Sequence, residues 1–341
     1  MKTIGILTSG GDAPGMNTAI HSIVKTASAN EINCIGFERG YNGIIDNNYR
    51  QLTEHSVKHI SHFGGTILKT ARCKRLLDPK YQAIAASNIS SHQLDGLIII
   101  GGDGSFRGAL SISKLCNIRV IGIPATIDND IDGCDYTLGF QTAVQTATEA
   151  IDKIRDTADA LERIFIVEVM GKESGHIALH AGIACEAEQI IYPEMQLTAQ
   201  NALALITQDI SKYIEHMGHA SYIIVMAENS IKNSSAFTLA KLIADAVNID
   251  CRAIVLGHTQ RGGTATSQDR VLASKLGYFA IQALIEGSAN VMVGIQKGER
   301  VLVQLADTIK HQKTLDNSLQ TITLCHEYSP LIPPHTNVWK L

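Results

Sequence analysis

The sequence predicts an α/β protein built from two doubly wound lobes, and three observations predict it. Short continuous apolar runs recur along the chain. Longer amphipathic stretches alternate with them. Glycyl and polar residues gather just after the runs, where an open α/β sheet places its ligand crevice. The 341 residues are 45% hydrophobic, enough for a sizeable core, and this length suggests two domains. Aromatics make up only 5% while Gly numbers 28, which fits a fold rich in tight turns near strand ends.

The apolar runs cover residues 4–8, 34–37, 96–100, 120–123, 164–169, 222–227, 253–256 and 291–295. Runs of this length without alternation read as buried parallel strands. Residues 139–158 are helical in pattern, with Phe140, Ala143, Val144, Ala147, Ile151 and Ile154 at helical spacing. Residues 198–215, 235–247 and 269–285 read the same way. No internal repeat or Pro/Ser-rich linker interrupts this order, so a domain boundary must be a crossing between packed lobes. The polar tail from about residue 312, with Pro330, Pro333 and Pro334, receives no assignment.

The charge balance of 29 basic and 33 acidic residues, without a basic run, argues against nucleic acid or an anionic membrane as a partner. Seven scattered Cys without a C-x-x-C pair fit reduced thiols in a cytoplasm. Residues 1–4 enter a strand-like run at once, without the pattern of a signal peptide, and no apolar run approaches membrane-spanning length. The expected location is cytoplasmic.

Four turns after predicted strands carry candidate chemistry. In Thr8-Ser9-Gly10-Gly11-Asp12-Ala13-Pro14-Gly15, the Gly pair removes side chains so that backbone N–H groups and a helix N-terminus can approach a phosphate. A plain strand-to-helix turn is the alternative. In Gly101-Gly102-Asp103-Gly104-Ser105, a second Gly pair suits a phosphate or ribose, and Asp103 is a hard oxygen ligand for Mg²⁺. Asp103 could instead cap the helix that follows.

In Pro124-Ala125-Thr126-Ile127-Asp128-Asn129-Asp130, Asp128 could take a proton from an attacking hydroxyl and Asp130 could steady the metal or the base. An Asx-rich turn is the bland reading. In Leu256-Gly257-His258-Thr259-Gln260-Arg261-Gly262-Gly263, His258 and Arg261 could clamp a phosphate, Arg261 through its planar fork. A structural His is the alternative. Two anions brought together need cations, N–H donors and a metal, so phosphoryl transfer is the natural class. Arg72, Arg163, Arg252 and Arg261 are available, although each could be a solvated surface charge.

Residues 8–17, 101–105, 124–135 and 256–263, with Val167-Glu168-Val169-Met170-Gly171 and the helical stretch 139–156, resemble the 6-phosphofructokinase family in order and spacing, from about Lys2 to Gln296. The resemblance implies phosphofructokinase-like lobes with the active site in the cleft between them. The larger, ATP-binding lobe would comprise residues 1–138 and 251–300, and the smaller, sugar-phosphate-binding lobe 139–250 and 301–341. Gly11, Arg72, Cys73, Gly102, Asp103, Gly104 and Ser105 would line the ATP site, with Asp103 on Mg²⁺. Asp128 would be the general base, flanked by Thr126 and Asp130, with Arg72 neutralising the moving phosphoryl group.

Met170, Gly171, Lys172 and Glu228 would hold the sugar, and His258 and Arg261 its 6-phosphate. Arg163 and Arg252 would reach that phosphate from a neighbouring subunit, which implies a homotetramer with shared sites. The implied reaction is ATP-dependent phosphorylation of fructose 6-phosphate at its 1-hydroxyl, a glycolytic step. Rival readings are a pyrophosphate-dependent phosphofructokinase, another kinase with a Gly-Gly-Asp-Gly turn, or an inactive nucleotide-sensing subunit.

Some positions depart from the family pattern. Lys172 stands for the usual Arg, Ala125 for Gly, and Cys73 for a common Phe. Pyrophosphate-using members commonly carry Asp at the position of Gly104 and Lys at that of Ala125. Many bacterial relatives bind ADP or phosphoenolpyruvate at a second site between subunits. Here His21, Lys25 and Glu54 replace its arginines and residues 216–220 lack its lysines, although Arg155 and Glu188 remain. Weak or absent regulation is expected.

Overall fold

A computed structural model describes residues 1–316. Eleven strands form in it: β1 (Thr3–Ser9), β2 (Asn33–Phe37), β3 (Tyr49–Leu52), β4 (Gly96–Gly101), β5 (Arg119–Pro124), β6 (Ile164–Val169), β7 (Gln189–Ile191), β8 (Tyr222–Ala227), β9 (Cys251–Val255), β10 (Val291–Gln296) and β11 (Glu299–Gln304). The helices are α1 (Met16–Ala29), α2 (Tyr41–Ile45), α3 (Pro79–Ser91), α4 (Asp103–Cys116), α5 (Phe140–Leu161), α6 (His176–Ala184), α7 (Ala199–Met217), α8 (Ala236–Val247), α9 (Ser267–Ile285) and α10 (Leu305–Thr308). Every apolar run read as a strand is one.

Helix starts follow local chemistry. Thr198, Ser235 and Thr266 accept backbone N–H bonds from Asn201, Thr238 and Asp269, so α7, α8 and α9 begin at satisfied N-caps. Asp78 caps α3, whose first residue is Pro79. The helix α5 follows Gly139, which has no side chain to serve as a cap. Its first turn is held instead from α9: Asp269 accepts from Gly139 N at 3.0 Å and Thr142 N at 2.8 Å. That carboxylate is fully buried, and burial pushes its pKa up against those hydrogen bonds.

The chain divides into two compact units. The first contains Met1–Thr142 and Arg261–Thr314, and the second contains Ala143–Gln260. In the first, seven strands run in the order β11-β10-β5-β4-β1-β2-β3, parallel except for antiparallel pairings of β3 and β11 at the two edges. Leu7, Phe37, Leu97, Ile99, Phe106 and Val120 are buried together in its core. In the second, four parallel strands run β7-β8-β6-β9. Ile166, Ile206, Tyr222, Ile224, Leu239 and Ile243 form its core.

Both expected crossing points after residue 250 need correction. β9 pairs with β6, Cys251 opposite Ile164, so the return to the first unit comes only at Arg261. Residues 301–304 belong to the larger sheet, because β10 and β11 form a hairpin through Lys297 and Gly298, both at positive φ. Two left-handed residues match the twist of a tight hairpin turn. An apolar run announces a strand but not its partner. From residue 317 on, the unassigned tail lies outside the described residues.

The core of the second unit contains one titratable group of consequence. Asp209 is fully buried, and the Tyr222 hydroxyl donates to one of its oxygens. Burial pushes its pKa up to about 6, against the lowering effect of the Tyr222 bond. The folded state therefore holds this proton more tightly than the unfolded chain. The cost is absent well below the ordinary value of 3.8, grows as pH rises above it and is complete once pH passes about 6. Asp209→Asn, which can still accept from Tyr222, is expected to be more stable than the parent at pH 8 by up to about 3 kcal/mol. The gap should close toward pH 4, as thermal melts at the two pH values would reveal. A variant equally destabilised at both would contradict this.

Candidate active site

Within the first unit, β1 leads to β2 on one side while its other neighbour is β4, so the strand order reverses between β1 and β4. Ligands of open α/β sheets bind beyond the carboxyl ends of strands at such a point. The two Gly turns meet there. Ser105 Oγ donates to Ser9 O at 3.0 Å, and a Cβ on Gly101 would stand 2.5 Å from that same oxygen. Glycine at 101 is thus required by packing.

Gly102 and Gly104 are different: a Cβ at either would meet nothing within 4 Å. Their lack of side chains leaves room over the start of α4 that the protein itself does not fill. Gly102 is the N-cap of α4 and Asp103 its first residue, so Asp103 is not the cap. The Asp103 carboxylate lies at the surface, 3.2 Å from Arg107 one turn on. Among the described residues no group of three or more Asp, Glu, His or Cys converges on a metal position. One accessible carboxylate beside open glycines fits Mg²⁺ that arrives with phosphates, since Mg²⁺ keeps its waters and needs few protein ligands.

The turn after β5 lies beside these two. Ala125 N donates to Gly101 O at 3.0 Å, which binds this turn to the end of β4. Thr126 Oγ1 donates to Asp128 Oδ2 at 3.2 Å and accepts from Asp128 N at the same distance. The buried carboxylate is thereby oriented by the residue two before it. Asn129, at φ 50°, accepts from Thr137 N at 3.0 Å and locks the turn. Asp130 is also buried, and its carbonyl accepts from Lys313 N. Asn129 and Thr137 escaped the sequence reading, because their role is to bond each other across eight residues.

Arg72 is exposed, and no hydrogen bond or ion pair holds it among the described residues. Cys73 lies half-buried and donates from Sγ to Asn42 Oδ1 at 3.1 Å. Arg261 leans over the first Gly turn, with Nη1 3.3 Å from Asp12 O. A Cβ on Gly11 would approach that Nη1 to 2.8 Å. Gly11 therefore makes room for that guanidinium. His258 is exposed at the start of the same short 3-10 turn, Gly257–Arg261.

In the second unit the loop after β6 is held by acceptors from its neighbours. Glu228, after β8, accepts from Gly171 N at 3.2 Å and Lys172 N at 2.7 Å. Met170 N donates to Oε1 of the fully buried Gln260 at 2.8 Å. A Cβ on Gly171 would stand 2.4 Å from Ser174 O, so this tight loop admits only glycine. Met170, Gly171, Lys172 and Glu228 thus form one constellation, and Gln260 joins it. Gln260 lies inside a motif read for its His and Arg, and only the fold reveals its contact. Glu168 on β6 has its pKa raised, chiefly by burial and further by the nearby Glu228.

Arg163 and Arg252, 89 residues apart in the chain, both pair with Asp250 at the surface of this unit. Arg155 is spent internally: it bonds Glu188 at 2.8 Å and donates to the carbonyls of Cys185 and Glu186. Glu188 in turn accepts from Ile223 N at 2.7 Å.

The phosphofructokinase family profile matches residues 3–284. The chain belongs to the phosphofructokinase family. It is 42% identical over 322 residues to an ATP-dependent 6-phosphofructokinase of Clostridium botulinum, covering 94% of this chain and 98% of that one. It is 44% identical over 319 residues to ATP-dependent 6-phosphofructokinase 1 of Thermus thermophilus, covering 94% and 97%.

Among solved structures, phosphofructokinase from Saccharomyces cerevisiae aligns at a TM-score of 0.85 and 30% identity over 96% of this chain. The chain spans about half of that longer one, 47%. A pyrophosphate-dependent phosphofructokinase from Nitrosospira multiformis, at 21% identity, has a TM-score of 0.81 over 99% of this chain and 94% of its own. That likeness is one of fold. Phosphofructokinases that share this fold thus differ in phosphoryl donor, so the donor must be argued from the site. No helix among the described residues is long and apolar enough to cross a membrane.

Proposed function

We infer that this protein is an ATP-dependent 6-phosphofructokinase, which transfers the γ-phosphoryl group of ATP to the 1-hydroxyl of fructose 6-phosphate. The observation that carries the reading is the meeting of three turns at the ends of β1, β4 and β5. Two are glycine turns with unfilled space at Gly102 and Gly104, and the third presents the Thr126-oriented carboxylate of Asp128. Identity of 42–44% to enzymes named for this activity, over nearly their whole length, supports it.

In this reading Gly11 and Gly102–Ser105 receive the ATP phosphates on backbone N–H groups. Asp103 would hold Mg²⁺, which supplies charge neutralisation between the phosphates. Asp128 takes the proton of the attacking hydroxyl, and Thr126 keeps the accepting oxygen in place. Asp130 supports the base or the metal. The exposed Arg72 moves onto the transferring group, where a cation stabilises the developing charge. Cys73, with its small side chain, lies beside the nucleotide.

Met170, Gly171, Lys172 and Glu228 hold the sugar, while His258 and Arg261 take its 6-phosphate. Arg163 and Arg252 act on the sugar phosphate of a neighbouring protomer in a cytoplasmic homotetramer. The test is direct: purified protein is given fructose 6-phosphate with either MgATP or pyrophosphate, and fructose 1,6-bisphosphate is followed. Product from ATP alone is expected. Efficient turnover with pyrophosphate instead, or none with either donor, would overturn the reading.

Regulation by ADP or phosphoenolpyruvate should be weak. Besides the replaced cations, Arg155 is already engaged by Glu188 and two carbonyls, and Glu54 accepts from Ser28 Oγ at 2.6 Å. Each charge-assisted bond missing from an anion site is worth about 1.5–3 kcal/mol. Fructose 6-phosphate saturation at limiting ATP should change little on adding roughly millimolar effector. A severalfold shift that disappears in Arg155→Ala would prove this wrong.

A further inference from the structure

Asp250 occupies the turn between α8 and β9, immediately before Cys251. Its backbone carbonyl accepts from Ile164 N at 3.1 Å, which ties the starts of β9 and β6 together. Its carboxylate lies between two guanidinium groups. Arg163 Nε is 3.1 Å from Oδ2, and Arg252 Nε is 3.0 Å from Oδ1 and 3.1 Å from Oδ2. Without a counter-charge, two guanidiniums this close repel, and their long side chains splay into solvent. The arrangement is partly exposed, so its worth to stability is small. A stability role therefore accounts poorly for one carboxylate gathering two arginines.

The contact atoms suggest another role. Both arginines meet Asp250 through Nε, the inner nitrogen of the fork. The edge formed by the two terminal nitrogens remains on each for a second oxyanion, with the bidentate geometry that phosphate accepts. One carboxylate between two guanidiniums also leaves a net positive charge to attract a dianion.

We propose that Asp250 is a positioning residue for sugar-phosphate binding, which holds Arg163 and Arg252 as a pair so that their free edges converge on one phosphomonoester. This rests on the reading of those arginines as sugar-phosphate ligands. In this role Asp250 transfers no proton and touches no reacting atom. Its effect falls on affinity for the phosphorylated sugar and not on the chemical step.

The experiment compares Asp250→Asn, Asp250→Glu, Arg163→Ala and Arg252→Ala by steady-state kinetics with both substrates. Asp250→Asn keeps the shape but loses the charge that gathers the arginines. It is expected to raise KM for fructose 6-phosphate by about tenfold, the scale of one charge-assisted hydrogen bond. KM for ATP and kcat should stay within about twofold, and Asp250→Glu should recover part of the loss. Added to an Arg163→Ala/Arg252→Ala protein, Asp250→Asn should cost nothing further.

A wild-type KM in Asp250→Asn, while either arginine variant raises it, would overturn the positioning role alone. An unchanged KM in both arginine variants would overturn the reading of the arginines, and the positioning role with it. A fall in kcat together with a rise in both KM values would mean that Asp250 only supports the fold, and would also overturn it.

Discussion

Asp128→Ser is expected to lower kcat by roughly 10²–10⁴-fold, the scale for losing a positioned general base. KM for fructose 6-phosphate should change far less. The carboxylate is buried, with Oδ2 held at 3.2 Å by Thr126 Oγ1. A fixed acceptor of this kind needs no reorganisation when the hydroxyl proton departs. Ser keeps a small polar group that can still bond Thr126, so the turn locked by Asn129 and Thr137 should survive. The loss should therefore appear in turnover and leave the fold and substrate affinity largely intact. Stopped-assay kinetics at saturating MgATP would measure it. A variant with near wild-type kcat would remove Asp128 from the base role.

Gly104→Asp is expected to lower kcat/KM for MgATP by roughly a hundredfold or more, with no loss of thermal stability. A Cβ at this position meets nothing within 4 Å, so the folded protein has room for the new side chain. An acidic residue in the first turn of α4 is, if anything, favourable to the helix dipole. Only a bound polyphosphate would be disturbed. A carboxylate set against a phosphate is a like-charge contact that costs several kcal/mol, and each 1.4 kcal/mol is a factor of ten. Melting temperature and ATP kinetics measured on the same preparation separate the two effects. Unchanged kcat/KM in a stable variant would show that ATP does not pass over Gly104, and the donor assignment would need another site.

The same contrast between room and crowding explains how far the sequence could be read. The eight apolar runs became strands because continuous burial needs continuous apolar side chains, a property that each segment displays by itself. Caps at Thr198, Ser235 and Thr266 were equally local. The glycine turns, and Asp103 and Asp128 after their strands, stood out through composition and charge alone, and they support the proposed phosphate chemistry. What local pattern could not show was partnership. The edge strands β3 and β11 carry exposed residues and no strong apolar run, so they declared themselves only through antiparallel pairing.

By itself, then, the sequence determined the α/β class, the alternation of elements, the glycine and carboxylate turns after strands, and the family resemblance they carry. Each is written in short segments, where periodicity, capping and the absence of side chains act within a few residues. Tertiary structure alone decided that β9 joins β6, and that the chain returns to the first unit at Arg261. It alone brought Asp250 between Arg163 and Arg252, Gln260 to Met170, and Asp269 to the start of α5. These are single hydrogen bonds and ion pairs between residues far apart in the chain. Such bonds have no period and no composition, and their geometry exists only once the cores have packed.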